Sequence, residues 1–167
     1  MENKQSSIDF SLRLIEGKIA ELVFSQMFRN SNKFTVIPFG YENNYPEIAQ
    51  YANMANDTQV LETIRSAPDF ALVSHDKKDV YLVEVKYRNS LNAKYVKKDA
   101  EKIQNRWESV QLFIATPDGF YFDNCNDIIA SKGIISALNI NWIEKKAQKE
   151  YTGLLNTFIK KSKNSNI

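Results

Sequence analysis

The stretch Pro68-Asp69-Phe70-Ala71-Leu72-Val73-Ser74-His75-Asp76-Lys77-Lys78-Asp79-Val80-Tyr81-Leu82-Val83-Glu84-Val85-Lys86-Tyr87 decides the reading of this chain. Two apolar runs, 69–74 and 80–87, flank a charged turn at 75–79, a spacing that predicts an antiparallel hairpin. Side chains alternate along the second run, so Glu84 and Lys86 share one face while Val83 and Val85 turn to a core. A carboxylate and an amine thus project together from an apolar strand. Whether Asp69 joins them is a matter of parity. With Asp76-Lys77 as the loop and His75 paired to Lys78, Asp69 lies opposite Glu84. Any loop with an even number of residues keeps Asp69 on the face of Glu84 and Lys86, whereas an odd loop without a bulge turns it away.

Two carboxylates and a lysine are what metal-assisted phosphoryl chemistry requires. Carboxylate oxygens bind a hard cation such as Mg²⁺ or Mn²⁺. The cation polarises a phosphoryl oxygen and lowers the pKa of a bound water. The lysine is a compact cation that can orient this water or stabilise charge in the transition state. The plain alternative is an exposed hairpin with ordinary salt bridges, since Glu-x-Lys is common on solvated strands. The apolar strand around Glu84 argues against it, as does a third carboxylate upstream.

Residues 8–29 read as a long helix with two apolar stripes. Ile8, Leu12, Ile15, Ile19 and Val23 form one. Phe10, Leu14, Gly17, Glu21, Phe24 and Phe28 form the other, at spacings of 4, 3, 4, 3 and 4. Glu21 falls inside an apolar stripe, and Gly17 one turn earlier leaves room for a close approach. A buried carboxylate needs compensation, from a metal, a lysine such as Lys86, or a raised pKa. Its other reading is a side chain that snorkels at the helix edge or pairs with an arginine. Glu16, at the margin of the first stripe, has no comparable setting.

Composition narrows the chemistry. The 167 residues fit a single domain, 1–167, and 10 Phe and 8 Tyr supply a sizeable core. Formal net charge is +2, so any basic surface must come from local clustering, as in Lys94, Lys97, Lys98, Lys102 and Arg106. One cysteine, Cys125, and one histidine, His75, exclude an intrachain disulfide and a Cys/His zinc site. Cys125 lies in a polar stretch without a nearby histidine, a poor setting for a thiol nucleophile. Neither a secretory leader nor an apolar run of membrane-spanning length is read, so no membrane association and a reducing, cytoplasmic setting are expected.

Further elements follow from pattern. Residues 1–7 read as a frayed terminus and 34–39 as a strand ending at Gly40. A helical insert at 41–67 carries short helices near 47–53 and 58–65, the second capped by Asp57. Val96, Ala100, Ile103 and Trp107 mark a helix over 92–108. A buried strand at 110–116 is followed by a turn at 117–119 and a short edge strand at 120–122. A C-terminal helical segment, 124–161, ends in an amphipathic helix over 142–160. The order αβ(helical insert)ββαβ plus a C-terminal helix is α/β, a mixed central sheet flanked by helices.

Pro68-Asp69, followed after 14 residues by Glu84-Val85-Lys86, resembles the signature of the PD-(D/E)XK nuclease superfamily. Gly17-Lys18-Ile19-Ala20-Glu21 resembles the helical motif that precedes it there, and the core at 8–116 has the same element order. The resemblance implies a restriction-endonuclease-like fold, close in size and order to small Holliday-junction resolvases. It implies Asp69 and Glu84 as metal ligands with the Val85 carbonyl beside them, Glu21 binding or orienting the metal, and Lys86 as catalytic lysine. No Gln-x-x-x-Tyr motif of the exonuclease-like branch is present, which argues against processive end resection.

The expected function is a Mg²⁺- or Mn²⁺-dependent endonuclease that hydrolyses phosphodiester bonds in DNA. Its catalytic set would be Glu21, Asp69, Glu84 and Lys86, with Glu21, Asp69 and Glu84 holding the metal. Arg88, Lys94, Lys97 and Lys98 would contact the phosphate backbone, on a helix whose N-terminal end is expected near the site. Two other readings stand beside it: a catalytically silent nucleic-acid-binding or assembly module, and a nuclease subunit of a larger complex. A homodimer would suit cutting of two strands, though no interface is legible in the sequence.

Overall fold

The computed structural model describes residues 2–40 and 58–164. Five strands and five helices are present among them, in an α/β arrangement around one open mixed sheet. In chain order they are α1 (Glu2–Asn30), β1 (Phe34–Pro38), α2 (Thr58–Arg65), β2 (Phe70–Ser74), β3 (Val80–Tyr87), α3 (Ala93–Gln104), β4 (Val110–Thr116), β5 (Gly119–Asn124), α4 (Cys125–Ala130) and α5 (Lys145–Asn164). The expected helix near 47–53 and the Asp57 cap lie outside the described residues.

Sheet order follows chain order, β1 to β5. Neighbours pair antiparallel except β3 and β4, which are parallel and joined through α3. A parallel pair needs such a crossover, because the chain must return to the starting end of the sheet.

Alternation along the strands divides the core between the two faces. Val83, Val85, Phe70, Leu72 and Phe113 pack with Phe24, Met27 and Phe28 of α1 and with Leu155 and Ile159 of α5. Leu112 and Ile114, on the opposite face, pack with Val96 and Ala100 of α3 and with Cys125 and Ile128 of α4. The first face is aromatic at its centre. Phe24 meets Phe28, Phe113 and Phe70 at ring distances of 4.5, 4.9 and 5.1 Å, contacts that add to simple area burial.

Helix α1 corrects two expectations. It starts at Glu2, so the segment expected to fray is helical. Its apolar stripes are buried only in the C-terminal half, where Ala20, Val23, Phe24, Met27 and Phe28 enter the core. Phe10 and Leu14 are 58 % and 55 % exposed, and Ile8 and Ile15 are exposed too. Length is the reason. A 29-residue helix runs roughly 43 Å, whereas the eight-residue β3 runs roughly 26 Å, so the N-terminal half overhangs the sheet.

Other boundaries shift for local reasons. α3 starts after Asn92, whose side chain accepts from the amides of Lys94 and Tyr95, and it stops at Gln104. Trp107, expected on that helix, lies past its end. It donates Nε1–H to the Thr63 carbonyl at 3.3 Å and stands edge-on to Phe39. β5 stands at the sheet edge as expected but runs six residues and not only 120–122, because all of Gly119–Asn124 pairs with β4. α5 begins at Lys145, and Trp142 before it is packed among Phe34, Tyr81 and Phe122. No described helix is long and apolar enough to cross a membrane.

Candidate active site

The hairpin meets the parity condition. Phe70 pairs with Val83, Ala71 with Leu82 and Leu72 with Tyr81, so continuing this register places Asp69 opposite Glu84. The loop is 75–78, four residues and not two. Ser74 N–H donates to the Asp79 carbonyl at 3.0 Å, Lys77 N–H donates to the Ser74 carbonyl at 2.8 Å, and Lys77 takes φ 58°. His75 leaves the hairpin ladder and donates its amide to the Lys33 carbonyl instead. Two residues and four are both even, so the register survives the change of loop.

Asp69 is fixed by its own backbone and by its carboxylate. The amides of Phe39 and Gly40, after β1, donate to its carbonyl at 2.9 and 3.2 Å. The Val85 amide donates to Oδ2 at 2.8 Å. Glu84 and Lys86 project from the face opposite Val83 and Val85, and Lys86 Nζ is hydrogen-bonded to Glu84 Oε1. Both are largely withdrawn from solvent, at 15 % and 32 % side-chain exposure.

Electrostatics record the crowding of like charge. The Asp69 carboxyl is pushed up to about 7, first by burial and then by the Glu84 carboxylate, with Glu21 adding to it. The Val85 amide and Lys86 pull the other way and do not offset the rise. Burial acts to lower the Lys86 pKa, yet the charge and hydrogen bond of Glu84, with Asp69 and Asp99, raise it overall. Lys86 is therefore an ammonium, a cation and not a base, at any ordinary pH.

Glu21 occupies a looser place than expected. It lines the same groove and its charge reaches Asp69, but its carboxylate is paired with Lys18 at 3.0 Å. Among the described residues no group of three or more His, Cys, Asp or Glu side chains converges to hold a metal ion. The physical reason is the side of the sheet. α1 packs on the Val83 and Val85 face, and Glu84 points away from it. Gly17 is open to the groove, with nothing within 4 Å of where a Cβ would stand. The helix carboxylate that is buried is Glu16, which also lines the groove and acts on Tyr87, whose pKa is raised by burial and then by that charge.

The groove has a volume of about 920 Å³ and runs between α1, α2 and α3 over the ends of β2 and β3. Arg88 lines it, held by an ion pair with Asp99 and by a 3.0 Å bond from Nη1 to the Tyr87 carbonyl. Lys94, Lys97 and Lys98 do not line it. α3 turns Asp99, Lys102 and Ile103 inward, residues that fall within about 100° of one another on the helix, and Arg106 just past its end joins them. The other half of α3, and not its N-terminal end, borders the site. Arg13, Lys18 and Arg65 are groove residues absent from the expected set, whereas Lys102 and Arg106 belong to the basic cluster expected there. The four-residue spacing from Lys98 to Lys102 and Arg106 was the signal for those two; Arg13 and Arg65 gave none.

The single cysteine and the single histidine lie elsewhere. Cys125 is fully buried under α3, and burial, then Glu84, push its thiol up to about 12. His75 borders a separate cleft of about 390 Å³ with Asn32 and Trp142. The groove itself is lined by carboxylates, lysines and arginines, with Ser66, Tyr87 and Asn89 among them. No family model, no curated protein and no solved structure matches this chain.

Proposed function

We propose that this chain is a metal-dependent endonuclease of DNA with a PD-(D/E)XK-type core and restriction-endonuclease-like topology. The observation that supports it most is the pairing of Asp69 with Glu84 beside Lys86 inside a groove. Two carboxylates held together at the cost of a raised Asp69 pKa suit a divalent cation, which would relieve their repulsion. Mg²⁺ commonly takes one or two carboxylates and keeps several waters, so a third protein carboxylate is not required. Mn²⁺ would fit the same donors.

Asp69 and Glu84 would hold the cation through their oxygens. When bound, it would polarise a phosphoryl oxygen and lower the pKa of a coordinated water. Lys86 carries a fixed positive charge on the same strand face, placed to stabilise negative charge that develops on phosphate. Glu21 would orient water from the rim, and Arg88, braced by Asp99, would position the phosphate chain. Cutting both strands of a duplex would take two such sites, hence two copies of the chain. The lone buried cysteine suits a reducing cytoplasm.

The test is incubation of the purified protein with supercoiled, linear and four-way-junction DNA, with Mg²⁺ or Mn²⁺, beside Asp69→Ala and Lys86→Ala. Cleavage by the wild type that both variants lose supports the reading. Tight binding without cleavage of any substrate, under either metal, supports instead a silent binding module. The observation that favours that second reading is the ion pair by which Lys86 already satisfies Glu84.

A further inference from the structure

We infer that Arg13, Arg65 and Lys102 are further phosphate contacts of the groove, beside Arg88, and that they grip the backbone of DNA. Among the described residues, seven cations border the groove. Four are already engaged by carboxylates: Lys18 with Glu21, Lys86 with Glu84, Arg88 with Asp99, and Arg106 with Glu62. Arg13, Arg65 and Lys102 have no carboxylate partner among the described residues. They come from three different elements, α1, α2 and α3, on the walls around Asp69 and Glu84.

The distinction matters energetically. An engaged cation must break its ion pair before it meets phosphate, whereas an unpaired, exposed one only exchanges water and counterions. All three are exposed, so none is held in place by burial. Leu14, next to Arg13, lines the groove with its side chain exposed, an apolar surface against which a sugar face can pack. Lys94, Lys97 and Lys98 lie off the groove, and Lys97 is paired with Glu101. They are not counted among the groove's phosphate contacts.

Resting on the nuclease reading of the groove, the assignment has its own measurable signature. Each phosphate neutralised on duplex DNA contributes about −0.9 to the slope of log K against log salt. Binding of a labelled 20-base-pair duplex, with Ca²⁺ in place of Mg²⁺, is measured across a salt series for the full chain. Arg13→Gln, Arg65→Gln and Lys102→Gln are each compared with the wild type and with a triple variant Lys94→Gln, Lys97→Gln, Lys98→Gln. Thermal melts check that each variant is folded. Each single substitution is expected to make the slope shallower by about 0.9, and the triple variant to leave it unchanged. A wild type that binds with a steep slope, kept by all three single variants, overturns the assignment and leaves the nuclease reading standing. A wild type that binds no DNA at any salt concentration overturns both.

Discussion

The Val85 amide donates to the Asp69 carboxylate at 2.8 Å, which ties the residue before β2 to the strand that carries Glu84 and Lys86. This bond lets the carboxylate sit beside another of like charge. It lowers the Asp69 pKa, but burial and Glu84 win, and the group titrates near 7. Burial and like charge thus strain the Asp69 carboxylate, and the consequences are measurable.

The first concerns stability against pH. The folded-state pKa of Asp69 is raised, from 3.8 to about 7, so the folded state holds this proton more tightly than the unfolded one. Its stabilising contribution is full below about pH 4 and is lost as pH rises through about 7, by up to roughly 1.4 kcal/mol per pH unit. Asp69→Asn removes the charge and keeps an oxygen for the Val85 amide. In EDTA the variant is expected to be more stable than wild type at pH 8, with the gap closing toward pH 4. Urea melts at the two pH values check this; a gap that is constant with pH would refute it.

Metal affinity follows from the same proton. Binding to Asp69 requires the carboxylate, so below about pH 7 a proton must leave for each cation bound. Mg²⁺ affinity of the wild type is expected to fall about tenfold per pH unit between 7 and 5, and to level off above 7. Calorimetry in two buffers of different ionisation enthalpy would count the proton released. A flat profile from pH 5 to 8 would show that Asp69 is not a ligand.

Lys86→Ala should separate stability from catalysis. It leaves Glu84 without its cation partner in a largely buried setting, an effect worth about 1–3 kcal/mol of stability. Mg²⁺ is expected to restore that stability, because it would supply the missing positive charge. Cleavage is expected to remain at least about a hundredfold below wild type even with metal saturating. Full recovery of cleavage in Mg²⁺ would mean that the lysine acts only as a space-filling cation in the metal-free protein.

Much of this site was legible in the sequence because it depends on alternation and parity. Glu84 and Lys86 had to share a face, and a loop of either two or four residues brings Asp69 to them. Helix α1 was less legible. Periodicity gives a face but not which part of a helix overlies a sheet, so Phe10 and Leu14 were expected inside and Glu16 outside. The groove cations failed for a related reason. Arg13 and Arg65 sit on elements separated by tens of residues, and only the fold brings them together. On α3 the lysine spacing was visible, but which turn faces the site depends on how the helix crosses the sheet.

The Arg88–Asp99 pair offers a prediction about coupling. Asp99 on α3 holds Arg88 just after β3, and its charge also reaches Lys86. Asp99→Asn should free Arg88 and weaken cleavage by about tenfold, with little loss of stability, since both groups keep partial contact with water. In a double-mutant cycle with Arg88→Leu, the two effects on cleavage should be far from additive, with a coupling of roughly 1 kcal/mol or more. Additive losses would indicate that the arginine acts without its partner.

Gly133 joins the architecture to the site at a distance. It takes φ 97° and donates its amide to the Ile128 carbonyl at 2.7 Å, closing α4. A Cβ there would stand 1.9 Å from the carbonyl oxygen of Ala93, the first residue of α3. The neighbour is backbone and cannot rotate away, so Gly133→Ala must push the start of α3 off the sheet or unwind the cap. Left-handed strain alone costs on the order of 1–3 kcal/mol, and the clash adds to it. For a chain of this size the melting temperature is expected to fall by at least about 4–6 °C. Because α3 carries Asp99 and Lys102 to the groove, cleavage should weaken together with stability, whereas Gly17→Ala, which meets nothing within 4 Å, should leave stability unchanged or slightly higher. Paired melts of the two variants decide the matter: equal effects would mean that the close approach of Gly133 to Ala93 does not constrain α3.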